Sequence, residues 1–149
     1  MQQFQSAVLD HKFNVGKFNL ENLVAYTNTA EAELIRMPDW AVRSRIFYEG
    51  FILKRALFGQ VGFEANYRSA YFADAYAPAI SQFYLQNEFP VENYPVIDFF
   101  VAADIKTVNV FLKLAHANEG LNGPGYFSTP YYPGMRRSFI FGVKWQFFD

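Results

Sequence analysis

Histidine is scarce and cysteine is absent in this sequence, and the spacing of the histidines matches no common active-site pattern. The 149 residues include 2 histidines and no cysteine. Neither His11 nor His116 has a serine or a carboxylate at the spacing of a catalytic triad or a metal site. Without cysteine, the chain forms no disulfide and no thiolate metal site. We therefore predict no catalytic residue, no metal ligand and no cofactor.

The charged side chains form a clearer pattern, because they recur at every second position of apolar segments. Arg43 and Arg45, for example, alternate with Val42, Ser44 and Ile46. Twelve charged residues share this polar alternation: Asp10, Lys12, Glu21, Arg43, Arg45, Glu49, Glu64, Arg68, Asp98, Asp104, Lys113 and Lys144. The opposite, apolar alternation carries no Asp, Glu, Lys or Arg. The net charge of −1 gives no indication of a nucleic-acid partner.

A period of two is typical of β-strands, whose successive side chains point to opposite faces. The alternation predicts an all-β chain of seven strands, each roughly ten residues long, which is the length of a tilted strand that crosses a membrane. The predicted strands run from Ala7 to Val15, Phe18 to Tyr26, Trp40 to Phe51, Leu57 to Tyr71, Val96 to Ile105, Val108 to Ala117 and Ser138 to Phe147.

Cross-strand pairing supports a meander of antiparallel hairpins. A turn centred on Lys54–Arg55 places Arg45 opposite Glu64 and Ile46 opposite Phe63, so that polar side chains meet polar ones and apolar side chains meet apolar ones. Two further short turns are predicted near Gly16 and at Lys106–Thr107. The remaining links are long: Thr27 to Asp39, Phe72 to Pro95, with a short strand around Gln82 to Gln86, and Asn118 to Gly134.

Alternation alone is compatible with two architectures. A soluble, lipocalin-like barrel is apolar inside, whereas a membrane barrel is apolar outside. The strict exclusion of charge from the apolar face favours the membrane barrel, because a charge that faces lipid at mid-membrane costs roughly 2–4 kcal/mol. Aromatic side chains near the strand ends, such as Trp40, Tyr48 and Tyr71, match the interfacial girdle of such barrels. The fold class predicted is therefore an antiparallel up-and-down transmembrane β-barrel.

Several stretches resemble known outer-membrane proteins. The end of the chain resembles the C-terminal insertion signal of outer-membrane barrels, and the residues that carry this likeness are Phe139, Phe141, Val143, Trp145, Phe147 and Phe148. The stretches Tyr71 to Tyr76, Tyr94 to Phe100 and Thr129 to Gly134 resemble a family called "putative porin", common in Bacteroidetes-type outer membranes. This resemblance implies an outer-membrane location, no enzymatic activity, and contact with membrane lipid and with the barrel assembly machinery.

The resemblance also implies that residues 1–149 are one domain at the C-terminal end of a larger barrel. Seven strands agree with this expectation, because bacterial single-chain barrels have an even number. The expected function is passive diffusion of small hydrophilic solutes, with the twelve charged residues lining the pore. Those charges either set a field across the lumen or merely pair with one another along the wall.

Two alternatives remain open at this stage. One is a soluble barrel that binds an apolar ligand, and the other is a non-conducting outer-membrane barrel whose long loops bind a partner. The sequence does not decide the solute, the total strand number or the oligomeric state.

Overall fold

The chain is all-β over the residues that the computed structural model describes, namely 4–29, 35–52, 57–105, 107–121, 123 and 125–147. Its strands are β1 (Phe4–Val15), β2 (Phe18–Thr29), β3 (Trp40–Ile52), β4 (Leu57–Arg68), β5 (Ala75–Ala77), β6 (Gln82–Tyr84), β7 (Val96–Ile105), β8 (Val108–Ala115), β9 (Phe127–Thr129), β10 (Tyr132–Pro133) and β11 (Ser138–Trp145). Within those ranges, no helix is long and apolar enough to span a membrane.

Seven of these strands form one antiparallel sheet in the order β1-β2-β3-β4-β7-β8-β11. Each strand pairs with the next long strand along the chain, so the sheet is the meander that the alternation predicted. Among the described residues, β1 and β11 are the two edges and do not pair with each other. The sheet of this chain is therefore open rather than closed into a barrel.

The predicted registers are confirmed. In the β3–β4 hairpin Arg45 lies opposite Glu64 and Ile46 opposite Phe63. In the β7–β8 hairpin Ile105 lies opposite Val108. The central turn residues Lys54 and Arg55, together with Lys106, lie outside the described residues.

The first hairpin is closed by a turn whose geometry the sequence indicates. Val15 pairs with Phe18, which leaves Gly16 and Lys17 as the two central residues. Gly16 has a φ of 62°. A positive φ at the first central position is what a type II′ turn requires, and glycine adopts it without a steric penalty.

Several predicted strand ends are wrong: β1 begins at Phe4 rather than Ala7, β2 ends at Thr29 rather than Tyr26, and β11 ends at Trp145 rather than Phe147. Two further corrections, in β4 and β8, have a clear physical cause. β4 ends at Arg68 rather than at Tyr71, because Tyr71 turns away and exchanges backbone hydrogen bonds with Val91 (N···O distances of 3.1 and 2.9 Å). β8 ends at Ala115 rather than at Ala117, because His116 adopts a φ of 53° that breaks the extended backbone. Both corrections lie at the rim that carries the long loops.

The long loops contain two small hairpins. The predicted short strand around Gln82 is present as β6, and it pairs with β5. β9 and β10 form a second hairpin, which the sequence analysis did not predict. The loops also hold the most deeply buried side chains described, Ala75, Val91 and Pro130. The apolar face of the large sheet, in contrast, is covered by no described part of the chain.

Two glycines on the polar face lie opposite aromatic residues, at positions where a Cβ would collide with the neighbouring strand. Gly62 is the cross-strand partner of both Phe47 and Phe100. A Cβ added at Gly62 would lie 2.2 Å from the carbonyl oxygen of Ile46 and 2.5 Å from the Cβ of Phe47. A Cβ added at Gly142 would instead collide with the ring of its cross-strand partner Phe111.

This difference in contacts generates a stability prediction. Gly62→Ala should lower the free energy of unfolding by about 2 kcal/mol, because the new methyl group collides with backbone and overpacks the site. Gly142→Ala is the matched control, and it should cost less, because the end of the half-exposed Phe111 ring can rotate away. Urea unfolding of the full-length protein in detergent measures both, and equal losses would contradict the account of Gly62.

Candidate functional site

The registers place all twelve predicted polar positions on one face of the sheet. Direct cross-strand partners share a face, and one continuous row of partners runs through Lys12, Glu21, Arg45, Glu64 and Asp98. The other seven lie in neighbouring rows of the same face. We call this surface the polar face. That it lines a pore stays a prediction.

Ion pairs connect the row of partners from β1 to β4. Lys12 Nζ lies 3.8 Å from Glu21, and the Arg45 guanidinium lies 3.4 Å from both Glu21 and Glu64. The charges alternate in sign from Lys12 to Glu64, whereas the next partners, Glu64 and Asp98, are like charges that both lie close to Lys113. The oppositely charged pairs also fix the register.

Glu64 is the centre of the ion-pair network. Its carboxylate lies 2.8 Å from the Arg43 guanidinium and 3.6 Å from Lys113 Nζ. Lys113 lies 2.6 Å from Asp98 as well, so the network reaches β8. The two carboxylates are largely covered, with side-chain exposures of 12% for Glu64 and 8% for Asp98. Low exposure strengthens such pairs and makes an unpaired member costly.

Two aromatic side chains on the polar face lie close to the Arg45 guanidinium. The guanidinium carbon lies 5.1 Å from the ring centre of Phe47 and 4.6 Å from that of Phe100. Such a placement gives a cation–π attraction. Because Gly62 lies between the two phenylalanines, both rings come near the same guanidinium. The polar face is therefore a packed surface and not merely a row of solvated charges.

The remaining predicted pore residues lie outside this network. Asp104 accepts a hydrogen bond of 2.6 Å from Asn109 Nδ2, Glu49 accepts one from Gln60, and Arg68 donates one of 2.6 Å to the carbonyl oxygen of Phe127. These three residues have no ion pair inside the described ranges, and Asp10 and Lys144 have there neither an ion pair nor a side-chain hydrogen bond.

The predicted insertion signal lies on the opposite, apolar face of β11 and just beyond it. Phe139, Phe141, Val143 and Trp145 alternate along the strand and are exposed, and the Phe147 ring stacks on that of Trp145 at 4.9 Å. Phe148 lies outside the described residues. Recognition of this segment by the assembly machinery stays a prediction.

A buried histidine at the long-loop rim was missed by the sequence analysis, which assigned His116 no role. His116 is 2% exposed. Its Nδ1 lies 2.9 Å from the carbonyl oxygen of Met135, and its Nε2 lies 2.9 Å from the hydroxyl of Tyr94. A carbonyl oxygen only accepts, so Nδ1 carries the proton. The Tyr126 ring packs edge-on against the same imidazole at 5.5 Å.

Further hydrogen bonds join the start of β7 and the end of β8 at this rim. The backbone N–H of His116 donates to Asp98 Oδ1 at 2.8 Å. Asn118, also buried, accepts from the Ile97 N–H at 2.9 Å and donates to the Pro95 carbonyl at 2.7 Å. The dense Tyr, Pro and Gly content of residues 123–134 is the one sequence signal that could have indicated an ordered loop here.

The geometry of the polar face supports electrostatic positioning of the strands. Within the described ranges, no group of three or more His, Asp or Glu side chains is placed to hold a metal ion. The charges of the polar face mostly neutralise one another. Of the two interpretations of these residues, this favours the one in which they pair with one another over the one in which they set a strong field across a lumen.

The central place of Glu64 predicts a specific loss of stability. Glu64→Gln leaves Arg43, Arg45 and Lys113 with one carboxylate fewer, and it should lower the free energy of unfolding by about 2 kcal/mol, below the value for a fully buried pair because the site is partly solvated. Adding Arg43→Gln should restore part of the loss. The control Glu49→Gln removes a carboxylate that takes part in no ion pair inside the described ranges, and it should cost under about 0.5 kcal/mol because the glutamine oxygen can still accept the hydrogen bond from Gln60. Urea unfolding of the full-length protein measures each, and a Glu64→Gln value as small as the control would contradict the network.

Comparison with known proteins gives one match. A family described as "Putative porin" matches residues 2–149. Neither the curated proteins nor the solved structures include a match. Because the family match covers nearly the whole chain, this chain belongs to the "Putative porin" family.

Proposed function

We propose that this chain forms part of the wall of an outer-membrane channel through which small hydrophilic solutes diffuse passively. One observation carries the proposal: all twelve Asp, Glu, Lys and Arg residues of the seven long strands lie on one face. A sheet that separates lipid from water needs this division on every strand. Membership in a porin family agrees with the proposal and implies a non-enzymatic role.

The exposure of the apolar face supports contact with lipid. Leu9, Phe63 and Phe139 on this face are 63%, 52% and 76% exposed. A continuous apolar surface of this kind is far larger than soluble monomers usually leave uncovered. A lipocalin-like barrel would instead enclose its apolar face. The described cavities that the large sheet lines are formed mostly by residues of the polar face, which argues against the soluble alternative.

The open edges of the sheet support a barrel with more strands than these seven. Unpaired backbone N–H and C=O groups on β1 and β11 would be costly in a membrane. We propose that further strands of the complete protein pair with both edges and that this chain is its C-terminal segment. The alternating aromatics of β11 suit recognition by the assembly machinery.

The packed loops favour one second candidate, a barrel that conducts nothing and binds a partner through its loops. The Phe89 ring packs at 5.0 Å against both Phe127 and Tyr131, and Thr129 Oγ1 donates to the Asp74 carbonyl at 2.9 Å. Loops with such mutual contacts present a fixed surface to the outside. In a channel, such loops would also narrow the opening, so a measurement of conductance separates the two candidates.

Two experiments on the full-length protein separate these candidates. We expect its migration on a detergent gel to change on boiling, as that of a closed barrel does; unchanged migration together with solubility without detergent would contradict the membrane barrel. In a planar bilayer we expect stepwise conductance. A correctly folded sample that stays silent would favour the partner-binding barrel.

A pair of substitutions in β11 tests the assignment of the faces. Phe141→Arg places a charge on the apolar face at the middle of the strand, and it should lower the stability of the protein folded in lipid by roughly 2–4 kcal/mol. Lys144→Glu reverses a charge on the polar face and should be tolerated, because that side chain stays in water. The folded fraction in lipid vesicles measures both, and equal tolerance would show that the faces are assigned wrongly.

A further inference from the structure

A cavity of about 450 Å³ lies at the long-loop rim of the sheet, between β2, β3 and β4 and the loop residues Tyr94 and Tyr126. Most of its lining residues belong to the polar face. Its volume falls within the roughly 300–1,000 Å³ typical of sites for small molecules. If the sheet lines a lumen, the cavity lies where a solute would enter from the long-loop side.

The floor of the cavity is apolar although it belongs to the polar face. Leu23, Ala25, Ala41 and Val96 supply it, and Ala25 and Ala41 are direct cross-strand partners. Their small side chains leave the space open. No carboxylate occurs among the described residues that line the cavity.

Two stacked tyrosines form the loop side of the cavity. The rings of Tyr94 and Tyr126 lie 5.6 Å apart at an interplanar angle of 19°. The hydrogen bond from Tyr94 to His116 fixes the first ring. Gly134 fixes the second, because a Cβ there would lie 2.3 Å from Tyr126 Cζ, so the ring rests directly on the glycine backbone. The aromatic wall is therefore held in place without a ligand.

Two guanidinium groups line the cavity, and only one has an acidic partner. Arg43 is paired with Glu64 at 2.8 Å. Arg68 donates to the Phe127 carbonyl at 2.6 Å and lies 5.7 Å from the ring centre of Tyr71, but within the described ranges no carboxylate lies within ion-pair distance of it. The described lining of the cavity thus carries an excess positive charge, because it holds two guanidinium groups and no carboxylate.

We propose that this cavity is a binding site for small organic anions that combine a carboxylate with a flat apolar body. The carboxylate pairs with Arg68 by charge-assisted hydrogen bonds, while the apolar body lies between the tyrosine pair and the alanine floor. The Asn66 amide, also in the lining, offers a further donor. The inference deepens the proposed function and rests on it, because the solute reaches the cavity through the channel mouth.

Titration calorimetry on the full-length protein, folded in detergent, tests the site with three probes. Benzoate has both features, benzyl alcohol lacks the charge, and acetate lacks the apolar body. We expect benzoate to bind at least about tenfold more tightly than either of the others, a ratio that corresponds to about 1.4 kcal/mol. Equal affinities of all three probes would overturn the proposal.

Three variants locate the binding. Arg68→Gln retains a donor for the Phe127 carbonyl but lacks the charge, and it should weaken benzoate about tenfold while leaving benzyl alcohol unchanged. Ala41→Leu fills the floor and should weaken both aromatic probes. The control Lys17→Gln removes a cation at the opposite rim and should change neither affinity. Wild-type benzoate affinity in both cavity variants would overturn the assignment.

Bilayer conductance of the same preparations separates this inference from the proposed function. Conductance without selective benzoate binding would overturn the site and leave the channel. Selective binding without conductance would support the site and contradict the channel.

Discussion

The register of the seven strands is the constraint on which the rest of the structure depends. In a sheet with side chains of period two, a slip of one residue moves every side chain to the other face. Between β3 and β4 such a slip would place Arg45 opposite Phe63 or Ala65 instead of Glu64. The ion pairs on one face and the aromatic pairs on the other are lost together. Backbone hydrogen bonds can form in either register, so the side chains, together with the tight turns, specify the alignment.

The network around Glu64 explains two features of the polar face that alternation alone leaves unexplained. Phe47 and Phe100 occupy positions where the pattern predicts polar residues, and Gly62 occupies a position where a strand usually has a side chain. Together they form one unit: Gly62 is the cross-strand partner of both phenylalanines, the space beside it is taken by the β3 backbone and Phe47 Cβ, and both rings lie close to the Arg45 guanidinium. An arginine held by rings and by carboxylates has little freedom to swing into a lumen. The polar face is therefore more rigid than it would be if its twelve charged side chains did not interact.

The sequence predicted the large sheet well and the loop rim poorly, for a physical reason. Strand bounds, faces and registers follow from alternation and from complementarity between neighbouring strands, both of which are visible in short stretches of sequence. The rim depends on contacts between distant segments: Arg68 reaches a residue 59 positions away, and Thr129 reaches one 55 positions away. The role of His116 likewise depends on Tyr94, Tyr126 and Met135, which no periodicity brings together. The cavity could not be predicted, because it exists only where those loops meet the sheet.

The distribution of burial shows where specific recognition can arise in this chain. If lipid covers the apolar face, that face needs no tightly packed protein partner, and the most buried side chains described are instead in the long loops, such as Val91 and Pro130. On the sheet, opposite charges pair and leave little net field. At the loop rim the balance differs, because Arg68 shares its donors with a backbone carbonyl rather than with an acid. In the proposed channel, discrimination between solutes is therefore expected at the rim, whose loops can change without disturbing the register of the sheet.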